Sequence, residues 1–417
     1  MAIKTIPAPK TVVELGVSKK FLEDLAIKTL YLGSEMPGDQ LARQMGLSLS
    51  IVSELFQRLR KDQFCEIIGL ENNGIDFRYT TTSAGKSRAL ELFAQSQYAG
   101  PAPVSLQDYV TRTNAQSMSD IEITPDELSR AFEDLVLDMQ TLNQLGPAVQ
   151  SGRVIYLYGP TGTGKSIIAE TLTRLFDNRG IWLPYAVEVD GQIITVYDPV
   201  QHQRLAQPLA PDHDGRWVLC HRPHVIIGGE LTIEMLDLQF NPSINYYAGP
   251  AQMKANNGLL IVDDFGRQRI SHEQLLNRWV VPLDRRIDFL TLAGGKKIEI
   301  PFDLLLVFAS NMEPNDSLAD KAFLRRVQTK IKLDFATHDQ FREIFRRVCL
   351  QFNLIYDVAV VDELIRMIRV DYKESLRPCY PRDIVQQILW DARYWQKEPH
   401  FDLESVTRAC HNYFIAP

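Results

Sequence analysis

Cysteine is scarce, and what there is does not pair. The 417 residues include five (Cys65, Cys220, Cys349, Cys379 and Cys410), scattered, odd in number and without a C-x-x-C spacing, which argues against a disulfide framework and for a reducing compartment. Long apolar runs are missing too. A stretch such as Leu304 to Ala309 falls far short of a membrane span, and the start, Met1-Ala2-Ile3-Lys4-Thr5, has no apolar leader segment. These absences predict a cytoplasmic protein with no membrane partner. Nor is there an excess of positive charge: 45 Lys and Arg against 52 Asp and Glu leave a formal net charge of -7. A basic nucleic-acid coat is excluded for the molecule as a whole, though not for one face. No internal repeat or low-complexity tract stands out. What is present, 45% hydrophobic and 23% charged residues, suits about two or three globular domains.

The most informative stretch is Gly159-Pro160-Thr161-Gly162-Thr163-Gly164-Lys165-Ser166, directly after the apolar run Val154 to Tyr158 and before Ile167-Ile168-Ala169. A buried strand, a turn that small residues allow and a helix start form the phosphate-binding P-loop spacing G-x-x-x-x-G-K-S. Its backbone N–H groups and helix N-terminus fit the phosphates of a nucleoside triphosphate. Lys165 would bridge the β- and γ-phosphates, and Ser166 would offer its hydroxyl to Mg2+.

Downstream, Leu259-Leu260-Ile261-Val262 reads as a strand buried on both faces and ends in Asp263-Asp264, the Walker B pattern. Asp263 would hold Mg2+ and Asp264 would orient the attacking water. A further apolar strand, Leu304 to Ser310, ends in Asn311.

A strand tip carrying one amide in this place resembles the sensor 1 element of AAA+ ATPases, and later motifs resemble that family in order. Asp320 to Val327 is similar to the stretch from which a subunit reaches an arginine into its neighbour's site, here Arg325 or Arg326. Pro381-Arg382-Asp383-Ile384 resembles sensor 2, whose arginine touches the γ-phosphate. The hairpin Ile287 to Pro301 and Tyr247-Ala248-Gly249-Pro250 look like the helix-2-insert, pre-sensor-1-hairpin branch, which includes MoxR-like ATPases and enhancer-binding activators. The activators' Gly-Ala-Phe-Thr-Gly-Ala loop is absent, which argues against direct remodelling of a sigma factor.

The resemblance covers roughly residues 120 to 417. It implies an α/β P-loop core (120–336) with a parallel sheet flanked by helices, then an all-helical lid (337–417). It also implies a homo-oligomer, a hexameric ring first among them, in which Mg2+-dependent ATP hydrolysis remodels a protein or nucleic-acid client. One departure is Asp264, where many relatives carry Glu. Its shorter side chain admits slow turnover.

Residues 1–97 read as three helices, two short strands joined by Asn72-Asn73-Gly74 and a last helix, which resembles a winged helix-turn-helix domain. Its third helix carries Arg58, Arg60 and Lys61, interrupted by Glu54 and Asp62, so DNA binding and protein docking both stay open. The alternative function is a nucleotide-gated DNA-binding regulator or loader. Residues 98–119, with Pro101 and Pro103, read as a linker that lets the N-terminal domain move. Thr124-Pro125-Asp126-Glu127 opens a helix with a capping box, which Gly146-Pro147 should end. A strand-rich insertion (181–230) is expected to present an extra sheet face to a partner. Cys220, His221 and His224 are ligand types, but neighbours on a strand point to opposite faces, which disfavours a metal.

Overall fold

A computed structural model describes residues 4–71, 76–208, 210, 212–312 and 325–415. Met1 to Ile3, the turn Asn72-Asn73-Gly74, Pro211 and the part of the arginine-bearing stretch from Asp320 to Leu324 lie outside the described residues.

The fold is α/β, built on a five-stranded parallel sheet. In spatial order its strands are His224–Ile227, Leu259–Val262, Leu305–Ser310, Val154–Tyr158 and Thr329–Lys332. The three central strands are apolar almost throughout, with Ser310 the polar end of one, because both faces are covered. Alternate residues Ile155, Leu157, Ile261 and Val307 face Leu145, Ile168 and Leu172, whereas Tyr156, Leu260, Leu306 and Phe308 face Leu275 and Trp279. The helix Pro125–Ala131 starts with the expected Thr124–Glu127 capping box. The next helix, Met139–Gln150, runs through Pro147 instead of ending there. Pro147 forfeits one backbone bond, but Leu145, Ala148 and Val149 pack into the core and hold the last turn.

The C-terminal helices His338–Gln351, Val358–Arg366, Tyr380–Tyr394 and Leu403–Tyr413 enclose a separate core around Phe341, Phe345, Val361, Ile384 and Val406. At the other end, helices Lys19–Gly33, Gly38–Met45, Leu49–Lys61 and Ser83–Gln95 pack with an antiparallel sheet ordered Glu35–Pro37, Asp76–Thr81, Cys65–Glu71.

Two expectations are corrected. Residues 98–119 are not a tether: strand Val104–Ser105 pairs with Ala186–Val189, and helix Leu106–Ala115 seats Tyr109, which accepts a 2.8 Å bond from Asn256 Nδ2. The helix forms because Ser105 caps it at Asp108 N and Tyr109 and Thr113 share its buried face. The N-terminal unit is docked against the rest of the chain. Ala102 N donates to Met45 O at 2.7 Å, Gln97 N to Ile244 O at 2.8 Å and Arg216 Nη1 to Leu15 O at 2.9 Å. Among the described residues, the insertion's hairpin presents no free face. This hairpin, Ala186–Val189/Gln192–Thr195, has apolar residues on both sides; Ala186 and Ile193 join the N-terminal core, while Val187 and Ile194 pack with Leu290 and Ile298. Among the described residues no helix is long and apolar enough to cross a membrane, and the five cysteines are free.

Candidate nucleotide site

The P-loop leaves strand Val154–Tyr158 at the carboxyl end of the sheet, the side on which such sheets bind ligands. Gly159 has φ 140° and a Cβ there would lie 2.0 Å from Leu333 O, so only glycine lets the loop leave between the strands. Gly162 and Gly164, at φ 82° and 92°, turn the chain into helix Lys165–Thr171. Lys165 is buried, and its Nζ donates to Gly159 O at 2.9 Å and Pro160 O at 2.7 Å. Burial lowers its pKa, while the charges of Asp263 and Asp264 pull it back up.

Sheet register brings the remaining motifs to this loop. Ser166 Oγ donates to Asp263 Oδ1 at 2.9 Å. Asp263 Oδ1 also accepts from Asp264 N at 2.9 Å, which fits the left-handed φ of 47° at Asp264. Asn311 Nδ2 donates to Asp264 Oδ1 at 3.2 Å. Gln268, overlooked in the sequence, braces the two carboxylates by donating from Nε2 to the carbonyls of Asp263 (2.9 Å) and Asp264 (3.1 Å). Ser310 Oγ donates to Phe265 O at 2.8 Å and so ties the Asn311 strand to the same turn.

The outer arginines behave differently. Arg326 turns onto its own chain, with Nε 2.9 Å from both carboxylate oxygens of Asp284, and Arg325 is exposed. Arg382 is exposed on the first turn of helix Tyr380–Tyr394. The C-terminal helical unit touches the P-loop through Arg377, whose Nη1 donates to Thr161 O at 3.3 Å, and through Cys379, whose N donates to Gly162 O at the same distance. Arg377 is held by Glu374 Oε2 at 3.1 Å and by the Tyr380 ring. Its Nε is buried without a partner, an unspent donor beside the loop. The sequence signal was a basic residue next to Pro378, just before the helix start that drew attention to Arg382. A cavity of about 340 Å3 adjoins Thr163, bounded by Asp138, Thr141, Tyr158, Lys332, Gln340 and Pro378.

Among the described residues no three His, Cys, Asp or Glu side chains converge on one point. In the insertion, Cys220 is buried, His221 Nδ1 lies 2.8 Å from Asp177 O, and His224 is exposed. Ser166 and Asp263 present two adjacent hard oxygen donors, the small protein share that Mg2+ takes when phosphates and water complete its shell.

A family model described as "Domain of unknown function (DUF8689)" matches residues 337–412. No curated protein matches the chain. Among solved structures, NtrX from Brucella abortus in complex with ADP is similar at 12% identity and TM-score 0.40, covering 67% of this chain and 56% of that one. The present chain thus spans little more than half of NtrX. A mutant RuvB of Thermotoga maritima is similar at 12% identity and TM-score 0.40, covering 69% and 73%. Domain III of the Thermotoga maritima replication initiation protein DnaA is similar at 15% identity and TM-score 0.39, covering 71% and 100%. Likenesses this distant decide nothing about activity.

Proposed function

We propose that the chain is a Mg2+-dependent ATP hydrolase of the AAA+ kind, which couples ATP binding and hydrolysis to remodelling of a protein or nucleic-acid client. The observation that carries this reading is the meeting of Ser166 with Asp263 at 2.9 Å, beside the Asp264–Asn311 pair, at the mouth of a glycine loop.

Lys165 is held in the loop by two carbonyls that a triphosphate would displace, and phosphate oxygens would favour its charged form. Ser166 and Asp263 would hold Mg2+, which when bound supplies charge neutralisation to the phosphates. Asp264 would accept from the attacking water, and Asn311, already bonded to that carboxylate, would set its direction. Arg377 would answer the phosphate charge from the lid, with Arg382 further out on the next helix. In a homo-oligomeric ring, Arg325 is the better candidate to reach a neighbour's site, because Arg326 spends its Nε on Asp284. A stabilised phosphoryl charge of this kind is worth about a thousandfold or more in rate.

The test is ATP hydrolysis against protein concentration for the wild type, Lys165→Ala and Arg325→Ala. Lys165→Ala loses all turnover, Arg325→Ala loses most of it, and mixing the two restores part, since each supplies what the other lacks. Full activity of Lys165→Ala would sink the proposal. Adding duplex DNA separates the regulator reading: a salt-sensitive rise that vanishes when Arg58, Arg60 and Lys61 are neutralised would favour it.

A further inference from the structure

Helix Lys19–Gly33 buries a lysine. Lys28 is 5% exposed, yet lysine is rarely sequestered without an anionic partner. Its Nζ donates to Ser96 O at 3.0 Å and stands 5.6 Å from the centre of the Phe93 ring. An ammonium has three donors, and one carbonyl uses one of them. Asp24, one turn earlier, is engaged by Arg88 at 3.1 Å. Burial holds the Lys28 amine down at about 8, against the upward pull of the Asp24 charge.

This amine lines a cavity of about 340 Å3 at the joint between the N-terminal unit and the insertion. Exposed Lys20 adds a second cation to the lining, Asp24 adds a carboxylate already paired with Arg88, and Ser18, Gln95, Gln192 and Asn245 add neutral polar groups. The volume lies at the lower end of small-molecule sites. Because Arg88 takes up Asp24, no carboxylate among the described residues pairs with Lys28, and the polar space beside its ammonium has room for a compact negative group.

We propose that this cavity binds a small oxyanion, a carboxylate or a phosphate, whose charge pairs with Lys28. The occupant would lie between Lys28 on the N-terminal unit and Gln192 and Asn245 on the core. Occupancy therefore strengthens the docked arrangement by mass action. The cavity is distinct from the P-loop, since none of its lining residues belongs to the nucleotide site.

The experiment is calorimetric titration of the full chain, its P-loop saturated with ADP, with inorganic phosphate and separately with succinate at pH 8.5. The wild type binds at least one probe at one saturable site and takes up protons on binding, seen as a dependence of the heat on buffer ionisation. Whichever probe binds assigns the anion class. Lys28→Met weakens binding by roughly tenfold or more, as loss of a charge-assisted hydrogen bond does. Equal binding by Lys28→Met, or no saturation by either probe, overturns the proposal. A second readout needs no variant: acetylation of Lys28 in the wild type, followed by mass spectrometry, slows when the probe is present. Unchanged labelling refutes the site.

Discussion

Replacement of Asp214 by alanine tests whether the N-terminal unit is clamped to the core. Asp214 and Arg216 are 2% and 3% exposed. Arg216 Nε lies 3.0 and 3.2 Å from the two carboxylate oxygens and Nη2 lies 2.8 Å from one, while Nη1 crosses to Leu15 O at 2.9 Å. In Asp214→Ala the guanidinium keeps only that carbonyl and stays buried. Removing one partner of such a pair costs about 3–5 kcal/mol, because the survivor's charge is left uncompensated. The urea-unfolding free energy should fall by that amount, and chymotrypsin should cut the junction faster at Tyr98, which is buried in the docked arrangement. In the double variant Asp214→Ala/Arg216→Met no charge is stranded and the side-chain stem is retained, so most of the loss should return. A loss below about 1 kcal/mol in the single variant, or a double variant as unstable as the sum of its parts, would refute a buried ionic clamp.

Two other outcomes follow from the geometry. Arg377→Ala should weaken nucleotide binding by roughly tenfold, as loss of a charged hydrogen bond does, and Arg382→Ala by less, measured by titration with a fluorescent ATP analogue; the reverse ranking would return sensor 2 to Arg382. Stability should also respond to Lys28. With a folded pKa near 8 against about 10.4 unfolded, the unfolded chain holds more protons between these values, so stability rises with pH across that window. Below pH 8 both states are charged and the burial cost is present in full. Urea melts at pH 7.5 and 9.5 should show the rise in the wild type and a flatter profile in Lys28→Met; an unchanged slope in the variant would remove Lys28 as its cause.

The P-loop and its strand were legible because every part is contiguous: apolar run, glycines, Lys165, Ser166. Strands Leu259–Val262 and Leu305–Ser310 were legible because burial on both faces demands uninterrupted apolar residues. The linker expectation failed for a related reason. Two prolines and polar residues conceal a helix whose buried residues, Tyr109 and Thr113, give too short a pattern to outweigh that composition.

Composition and local spacing by themselves determined the α/β core, the glycine loop and the two carboxylates that follow the Leu259–Val262 strand, because these depend on neighbours along the chain. Tertiary structure alone decided that Ser166 meets Asp263, that Arg377 and not Arg382 touches the loop, and that Arg326 folds back onto Asp284. It also decided that the N-terminal unit is docked. Gly46 lies so close to Gly215 that a Cβ there would be 2.5 Å from its carbonyl oxygen, and Arg216 reaches Leu15 through a backbone carbonyl. Carbonyls and glycines carry no side-chain signature, so contacts made through them leave no trace in a one-dimensional pattern.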